Sequence, residues 1–409
     1  MPETETTQKF GILWNMPIVM IFLVGGFLQY LGILSQTQSN WLALFLLSHV
    51  FLANESWKQV GYEAPLFIFM LYIAVDHLRH AAPMSYTVTY LYYLACTVIA
   101  AVAGRVYASR MASSISTESF FRIAKLFLFI ELIVVVIQRS FTAQFISLSR
   151  APIGYIDAIF GTFFLQSDAA LAAVCELLTI SSFFLYSRRK DRFAITLLSL
   201  SIIFLGNSNA AKIAVVFILT LLLLYSAYRA LHSSRYQFNI LLLVILSPII
   251  LLMYGPLSTF LSDFFVQATD EYYHRGAWET AARFSPMGQL FAEGVNMLGQ
   301  GALTYYNPIT KEWLYNAGFS TIYSLYLDFG LLGLLLYFSY QFILIVRFTR
   351  NYIEFIIFTC VFILFMVLNF ALTDLAFVFS FNAILHLNYL RGKSSPGIRY
   401  EQSSFLVDS

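Results

Sequence analysis

The sequence predicts an all-α fold, a polytopic transmembrane helical bundle of about twelve spans. Three observations lead there. Of 409 residues, 59% are hydrophobic and only 11% are charged, against about 25% charged in a soluble domain. Mean hydropathy is +0.73. The apolar residues fall in continuous runs of roughly 15 to 25, with no alternation of a lipid-facing strand. In hydrocarbon every backbone polar group must be satisfied within the chain, so runs of that length leave helices.

Taken in order, the expected spans are 10–34, 41–54, 63–78, 85–104, 121–138, 168–187, 193–206, 210–228, 238–256, 318–346, 352–372 and 375–390. The opening MPETETTQKF is acidic and polar with one Lys, a poor signal-peptide start, and the run after it is too long for a cleaved signal. The first span therefore reads as an uncleaved helix. Lys and Arg gather in the N-terminus, the loops 55–62, 105–120, 188–192, 229–237 and 347–351, and the polar tail 391–409, with Ser187-Arg-Arg-Lys-Asp-Arg192 the densest run. The positive-inside rule puts these loops and both termini in the cytoplasm. The opposite face then receives 35–40, 79–84, 139–167, 207–209, 257–317 and 373–374.

Two of those outer segments are long. The 139–167 stretch is partly apolar and is expected to dip into the interface. The 257–317 stretch, about sixty residues between the ninth and tenth spans, holds Asp263, Asp270, Glu271, His274, Arg275, Glu279, Arg283, Glu293, Asn296, Asn307 and Lys311. Long loops in compact proteins are usually functional, and topology does not account for arginines on this face.

Several classes are disfavoured. A formal net charge of +2 gives nucleic acid little to bind. Cys96, Cys175 and Cys360 lie in apolar runs without metal-ligand spacing or a disulfide framework. No Walker loop, Rossmann glycine pattern, zinc ligand set or nucleophile elbow stands in its proper context. That argues against a primary pump and against an intracellular nucleotide-sugar enzyme, and implies no cofactor or metal.

What remains is an outer set of cations and carboxylates. Arg150 is followed after ten residues by Gly161, and Arg283 after ten by Gly294. Guanidinium is planar, always charged and binds phosphate through paired hydrogen bonds. Arginines converging at a membrane surface would clamp a pyrophosphate, and neutralising its charge makes it a good leaving group. A carboxylate or imidazole would take the proton of an acceptor hydroxyl. The bland alternative for each arginine is a solvated loop residue or headgroup anchor. The turn Gly206-Asn-Ser-Asn209-Ala-Ala-Lys212 offers Asn209 and Lys212 to the same site, or simply snorkels Lys212 to the headgroups. Glu131, Glu176 and Asp374 fall within apolar runs, where a carboxylate is expensive and defaults to a functional hypothesis or an interhelical pair. Asp76, His77, Arg79 and His80 end a span on the outer face and read as interfacial.

Three stretches carry a family resemblance. They are Arg275-Gly-Ala-Trp278-Glu279-Thr-Ala281 with the later Leu298-Gly299-Gln300-Gly301; Asn316-Ala-Gly318-Phe-Ser320-Thr-Ile-Tyr323 with Asp328-Phe-Gly330-Leu-Leu-Gly333; and Ser208-Asn-Ala-Ala-Lys212. In these the chain resembles the O-antigen polymerase and ligase superfamily, specifically the Wzy-type polymerases of bacterial surface polysaccharides and exopolysaccharides. The resemblance implies a GT-C-like membrane glycosyltransferase over 1–390, working without metal in the inner membrane. It would move a growing glycan from undecaprenyl pyrophosphate to the non-reducing end of another lipid-linked repeat unit. A flippase and a chain-length regulator are the partners it implies. Arg150 and Arg275, with Arg283, would hold the pyrophosphates; Trp278, Asn209, Lys212 and Asn316 would line the substrate. His274, Glu271 and Glu279 are the candidate bases.

Two departures stand out. Asn316 and Ala317 stand where ligases of the superfamily carry a His, which weakens the ligase alternative. Asn209 stands where the family's turn often has Arg. A third possibility is a transporter, which should place ionisable residues at mid-membrane and break helices in paired halves; no such matching interruptions are evident in the sequence.

Overall fold

A computed structural model of the chain describes residues 17–35, 37–51, 60–80, 83–114, 117–151, 153, 158–164, 168–185, 189–206, 209–231, 297–307, 312–315 and 320–394. Helices occupy nearly all of them. The first is α1, Pro17–Tyr30, with a π-turn at Met20–Val24. Then come α2 (Leu42–Phe51), α3 (Ala64–Asp76), α4 (Met84–Ser114), α5 (Thr117–Ser140), the short α6 (Thr142–Leu148), α7 (Asp168–Leu185), α8 (Arg189–Leu205) and α9 (Asn209–Leu231). After a small antiparallel hairpin, β1 (Thr304–Asn307) on β2 (Glu312–Tyr315), follow α10 (Thr321–Phe348), α11 (Tyr352–Leu368) and α12 (Leu375–Ser394). Each apolar run named above has its helix except 238–256, which lies outside the described residues.

Among the described residues, Met84–Ala112 and Ser324–Phe348 are long and apolar enough to cross a bilayer; Pro17–Tyr30, Leu42–Phe51, Ala169–Leu185, Ala214–Leu223 and Tyr352–Val367 are apolar but shorter. Large apolar side chains such as Leu44, Ile68, Leu71, Leu126 and Phe193 stand exposed on the bundle's outside. An aqueous surface would penalise each of them, which supports a membrane setting.

The longest packing contact runs between α4 and α12, which lie parallel. Thr97 Oγ1 donates to the Leu372 carbonyl at 3.2 Å, Arg105 to Asn382 Oδ1 at 2.8 Å, and Arg391 to the Met111 carbonyl at 3.0 Å. Small residues allow this approach. A Cβ on Gly104 would lie 2.4 Å from the Phe379 carbonyl oxygen, and Ala100, Ala101, Ala103 and Ala108 are buried beside it. Helix α3 runs antiparallel to α10, with Tyr62 against Phe348 at one end and the Tyr72 hydroxyl donating to the Phe329 carbonyl at the other. Helix α7 sits centrally, packed on α8, α9, α11 and α12.

The two ends of the bundle differ. At one end Arg105, fully buried, pairs with buried Glu63, whose other oxygen accepts from the Tyr340 hydroxyl. Ser109 meets His386 Nε2 at 3.2 Å nearby. The other end gathers the α1–α2 turn, the α3–α4 turn, residues 297–303, the start of α10 and the α11–α12 turn. Tyr92 donates to the Ser39 carbonyl, Thr321 to the Asn369 carbonyl, and the Arg150 amide to the Tyr30 carbonyl.

Irregular backbone enters the bundle in one place from the 139–167 segment. Residues 158–164 pass against Gly25 and Gly26, where a Cβ on Gly26 would lie 1.6 Å from the Phe163 carbonyl oxygen. Gln138 accepts from the Gly161 amide and donates to its carbonyl, both at 2.8 Å. The Glu131 carboxyl accepts from the Thr162 amide at 2.8 Å and its hydroxyl at 2.5 Å. Side chains thus replace the helical bonds this stretch lacks, as non-helical backbone in a bilayer-depth core requires.

Candidate functional site

The second irregular element is a break in α10. Gly330 has φ 66° and ψ −165° inside an otherwise helical run. A helix broken there leaves carbonyls and amides without intrahelical partners. The chain from Met297 to Gly301 fills the gap. The Gln300 amide donates to the Leu327 carbonyl and the Gly301 amide to the Asp328 carbonyl, both at 2.8 Å, and the Leu332 amide donates to the Met297 carbonyl at 3.1 Å. The Tyr72 hydroxyl reaches the Phe329 carbonyl from α3 at 3.2 Å.

Glycine is required on both sides of this joint. Gly299 has φ +73°, and a Cβ there would lie 2.4 Å from the Asp328 carbonyl oxygen. A Cβ on Gly330 would lie 2.3 Å from the Leu298 nitrogen. Two backbones meet with no room for a side chain between them. Asp328 is fully buried at the joint, within electrostatic reach of Tyr90, whose ring packs edge-on to Phe329 at 4.8 Å.

A polar cluster adjoins the joint where α3 ends. Asp76 is 1% exposed, and its carboxylate faces a guanidinium and an imidazole: His80 Nδ1 at 3.3 Å and Arg79 Nη1 at 3.8 Å. The 3-10 turn His77–Arg79 and the extended backbone at His80 bring both back to it. His80 Nδ1 also meets the Asp76 carbonyl at 3.1 Å, and His77 Nδ1 meets Thr87 Oγ1 of α4 at 3.0 Å. Tyr72 links the cluster to the joint, being within electrostatic reach of Asp76 while donating to Phe329. The side chain of Arg79 is 49% exposed and that of His80 21%, so a buried carboxylate lies against an accessible guanidinium and an accessible imidazole.

No family model matches the chain, and no curated protein matches it.

Most of the residues singled out in the sequence, Glu271, His274, Arg275, Trp278, Glu279, Arg283 and Asn316, lie outside the described residues. Arg150 is exposed at the same end of the bundle as Asp76, with its Cβ beside Gly32. Gly161, ten residues on, does not share its setting. It is buried at φ +66°, where a Cβ would lie 1.9 Å from Glu131 Oε2, so this glycine is explained by backbone packing. Asn209 opens α9 and Lys212 is half-buried in its first turn. Asp374 is an N-cap, accepting from the Phe377 amide at 3.1 Å. Glu176 is buried beside a small cavity lined also by Ala211 and Asn369.

The residues that sequence reasoning passed over are Asp76, Arg79 and His80, read as interfacial, and Gln300 as part of the joint. The signal was the Asp-x-x-Arg-His spacing itself, which keeps a guanidinium and an imidazole within one turn of the carboxylate. Among the described residues, no group of three or more His, Cys, Asp and Glu is placed to hold a metal ion. The arrangement can bind an anion through Arg79 and exchange a proton through His80.

Proposed function

We propose that the chain is a multi-pass polysaccharide polymerase of the bacterial inner membrane, with both termini in the cytoplasm. It would transfer a growing glycan from undecaprenyl pyrophosphate to the non-reducing end of another lipid-linked repeat unit at the periplasmic face. The observation that carries this reading is the docking of Met297–Gly301 into the α10 break beside Asp76, Arg79 and His80. Two stretches of the family resemblance, Leu298–Gly301 and Asp328–Gly333, meet there. Arg79 and Arg150 are exposed at this same end of the bundle.

In the proposed reaction the acceptor hydroxyl attacks the anomeric carbon and the pyrophosphate leaves. Its developing charge needs fixed cations in a site with little water. Arg150 and Arg275, with Arg283, would hold the phosphates by paired hydrogen bonds, with Lys212 and Asn209 supplying further polar contacts. The fold contributes a rigid frame: the Glu63–Arg105 pair at the far end and the joint at the near end fix α3 against α4 and α10.

The test is the lipid-linked glycan pool of cells carrying Arg275→Ala. Single repeats on undecaprenyl pyrophosphate should accumulate and polymer should be absent; polymer of normal length in this variant sinks the reading. A second reading, a transporter of lipid-linked glycan, draws on the α10 break and on the irregular 158–164 backbone, since transporters bind substrates at discontinuous helices. It requires glycan to cross a proteoliposome membrane unchanged, whereas a polymerase lengthens it.

A further inference from the structure

We propose that His80 is the general base of this transfer and that Asp76 is the positioning residue that holds it in the working tautomer. The inference rests on the polymerase reading and adds to it the group that takes the proton. The argument starts from His80 Nδ1. Two oxygens face it, the Asp76 carbonyl at 3.1 Å and the Asp76 carboxylate at 3.3 Å. A carbonyl oxygen can only accept, so Nδ1 carries the hydrogen. In the neutral ring the lone pair then belongs to Nε2, the atom on the far side from Asp76. The carbonyl takes the hydrogen bond, and the carboxylate beside it favours the same placement of the ring electrostatically.

This is the logic by which a buried carboxylate prepares an imidazole as a base: it fixes tautomer and orientation, then stabilises the imidazolium that forms. Asp76 is 1% exposed, whereas the His80 side chain is 21% exposed. The carboxylate is held inside and the imidazole is partly accessible. Arg79 approaches the other Asp76 oxygen at 3.8 Å, so the carboxylate lies between the guanidinium and the imidazole. The other titratable groups of the neighbourhood are His77 on the Thr87 side, Tyr72 of α3, and Asp328 with Tyr90 at the joint.

The step balances as follows. The acceptor hydroxyl oxygen forms a bond to the donor's anomeric carbon, and the bond from that carbon to the pyrophosphate oxygen breaks. The pyrophosphate departs with the electron pair. The hydroxyl proton passes to His80 Nε2 and from there to solvent. No oxidant, metal or cofactor enters.

A purely structural role for His80 is a helix cap, since its Nδ1–H satisfies a terminal carbonyl of α3. The test separates the two roles with His80→Gln, whose amide can still donate to that carbonyl but cannot take a proton near neutral pH. The full-length chain is reconstituted in liposomes with the undecaprenyl-pyrophosphate-linked glycan that accumulates in cells lacking this chain. Chain extension is measured across pH, with glycan binding measured in parallel. We expect His80→Gln to bind the glycan normally, to extend it about 10²- to 10⁴-fold more slowly, and to lose the acid limb of the rate profile. Asp76→Asn should slow extension while leaving that limb in place. Extension by His80→Gln at the wild-type rate with an unchanged pH profile overturns the assignment and leaves the polymerase reading intact. A folded wild-type chain that binds the glycan but never extends it overturns both.

Discussion

Replacing Gly330 with alanine should undock residues 297–301 from α10. An alanine Cβ at 330 would lie 2.3 Å from the Leu298 nitrogen, 2.4 Å from the Met297 carbonyl carbon and 2.5 Å from its oxygen. These are backbone atoms and cannot swing aside as a side chain would. The backbone at φ 66° and ψ −165° belongs to a region open to glycine almost alone, at a cost of about 1–3 kcal/mol for other residues. Relief requires that one chain leave the other, which forfeits the three backbone bonds at Gln300, Gly301 and Leu332, each contributing about 1 kcal/mol. Those bonds are also broken when the wild-type joint opens, so the strain of the docked state sets the shift: about 1–3 kcal/mol, or roughly 10- to 10²-fold in the opening equilibrium. Amide hydrogen exchange followed by mass spectrometry on the reconstituted chain reads this directly, because local opening controls the protection of Gln300 and Gly301. Their protection should fall by about one to two orders of magnitude. Gly299→Ala should do the same from the other side. Gly61→Ala, where a Cβ meets nothing within 4 Å, serves as control. Undiminished protection at 300 and 301 in Gly330→Ala would refute the interlocked-glycine account of the joint.

Three further outcomes are expected. Arg105→Ala strands the buried Glu63 carboxylate and should cost about 3–5 kcal/mol, whereas Arg105→Met with Glu63→Gln should recover most of that loss; thermal unfolding in detergent compares them, and equal midpoints would show the pair to be dispensable. Gly161→Ala drives a Cβ into the Glu131 carboxylate at a positive φ and should destabilise the chain by at least about 1–3 kcal/mol, seen as a lowered unfolding midpoint that Glu131→Ala in the same chain partly restores. Chain extension in the purified system should survive EDTA, because the proposed chemistry runs on guanidinium and imidazole groups; complete loss that magnesium or manganese restores would require a metal mechanism.

Helix positions were legible because a continuous apolar run has one solution in hydrocarbon, and boundaries failed where a charge was buried instead of ending a span. The sequence places a span at 85–104, stopping at Arg105, yet α4 continues to Ser114. Arg105 does not face water at all, because Glu63, forty-two residues earlier, neutralises it inside the bundle. Such a pairing leaves no local trace. The α10 break was equally hidden. A glycine within an apolar run is compatible with an unbroken helix, and only the partner segment at 297–301 shows why Gly330 leaves helical backbone. Asp76 reads in the sequence as interfacial at a span end, and the structure adds that its side chain is buried there against Arg79 and His80. The Arg150–Gly161 spacing was real as a pattern, but Gly161 answers to Glu131 and Gln138 and not to the arginine.

The contrast between the two irregular segments bears on where chemistry sits. Non-helical backbone in an apolar core needs substitute partners for each polar group it frees, and both segments have them. At 158–164 the partners are side chains, Glu131 and Gln138, whose hydrogen bonding is spent on Gly161 and Thr162. That segment is a brace, and little in it is left to act on a substrate. At 297–301 the partners are backbone groups of α10 together with the Tyr72 hydroxyl. The joint is therefore built chiefly on backbone groups, and the guanidinium and imidazole next to it remain partly exposed. Asp76 is buried, but Arg79 and His80 are partly exposed at that end of the bundle. A break stabilised only by itself would be a packing solution; one set beside an oriented imidazole and a guanidinium favours a site assembled there.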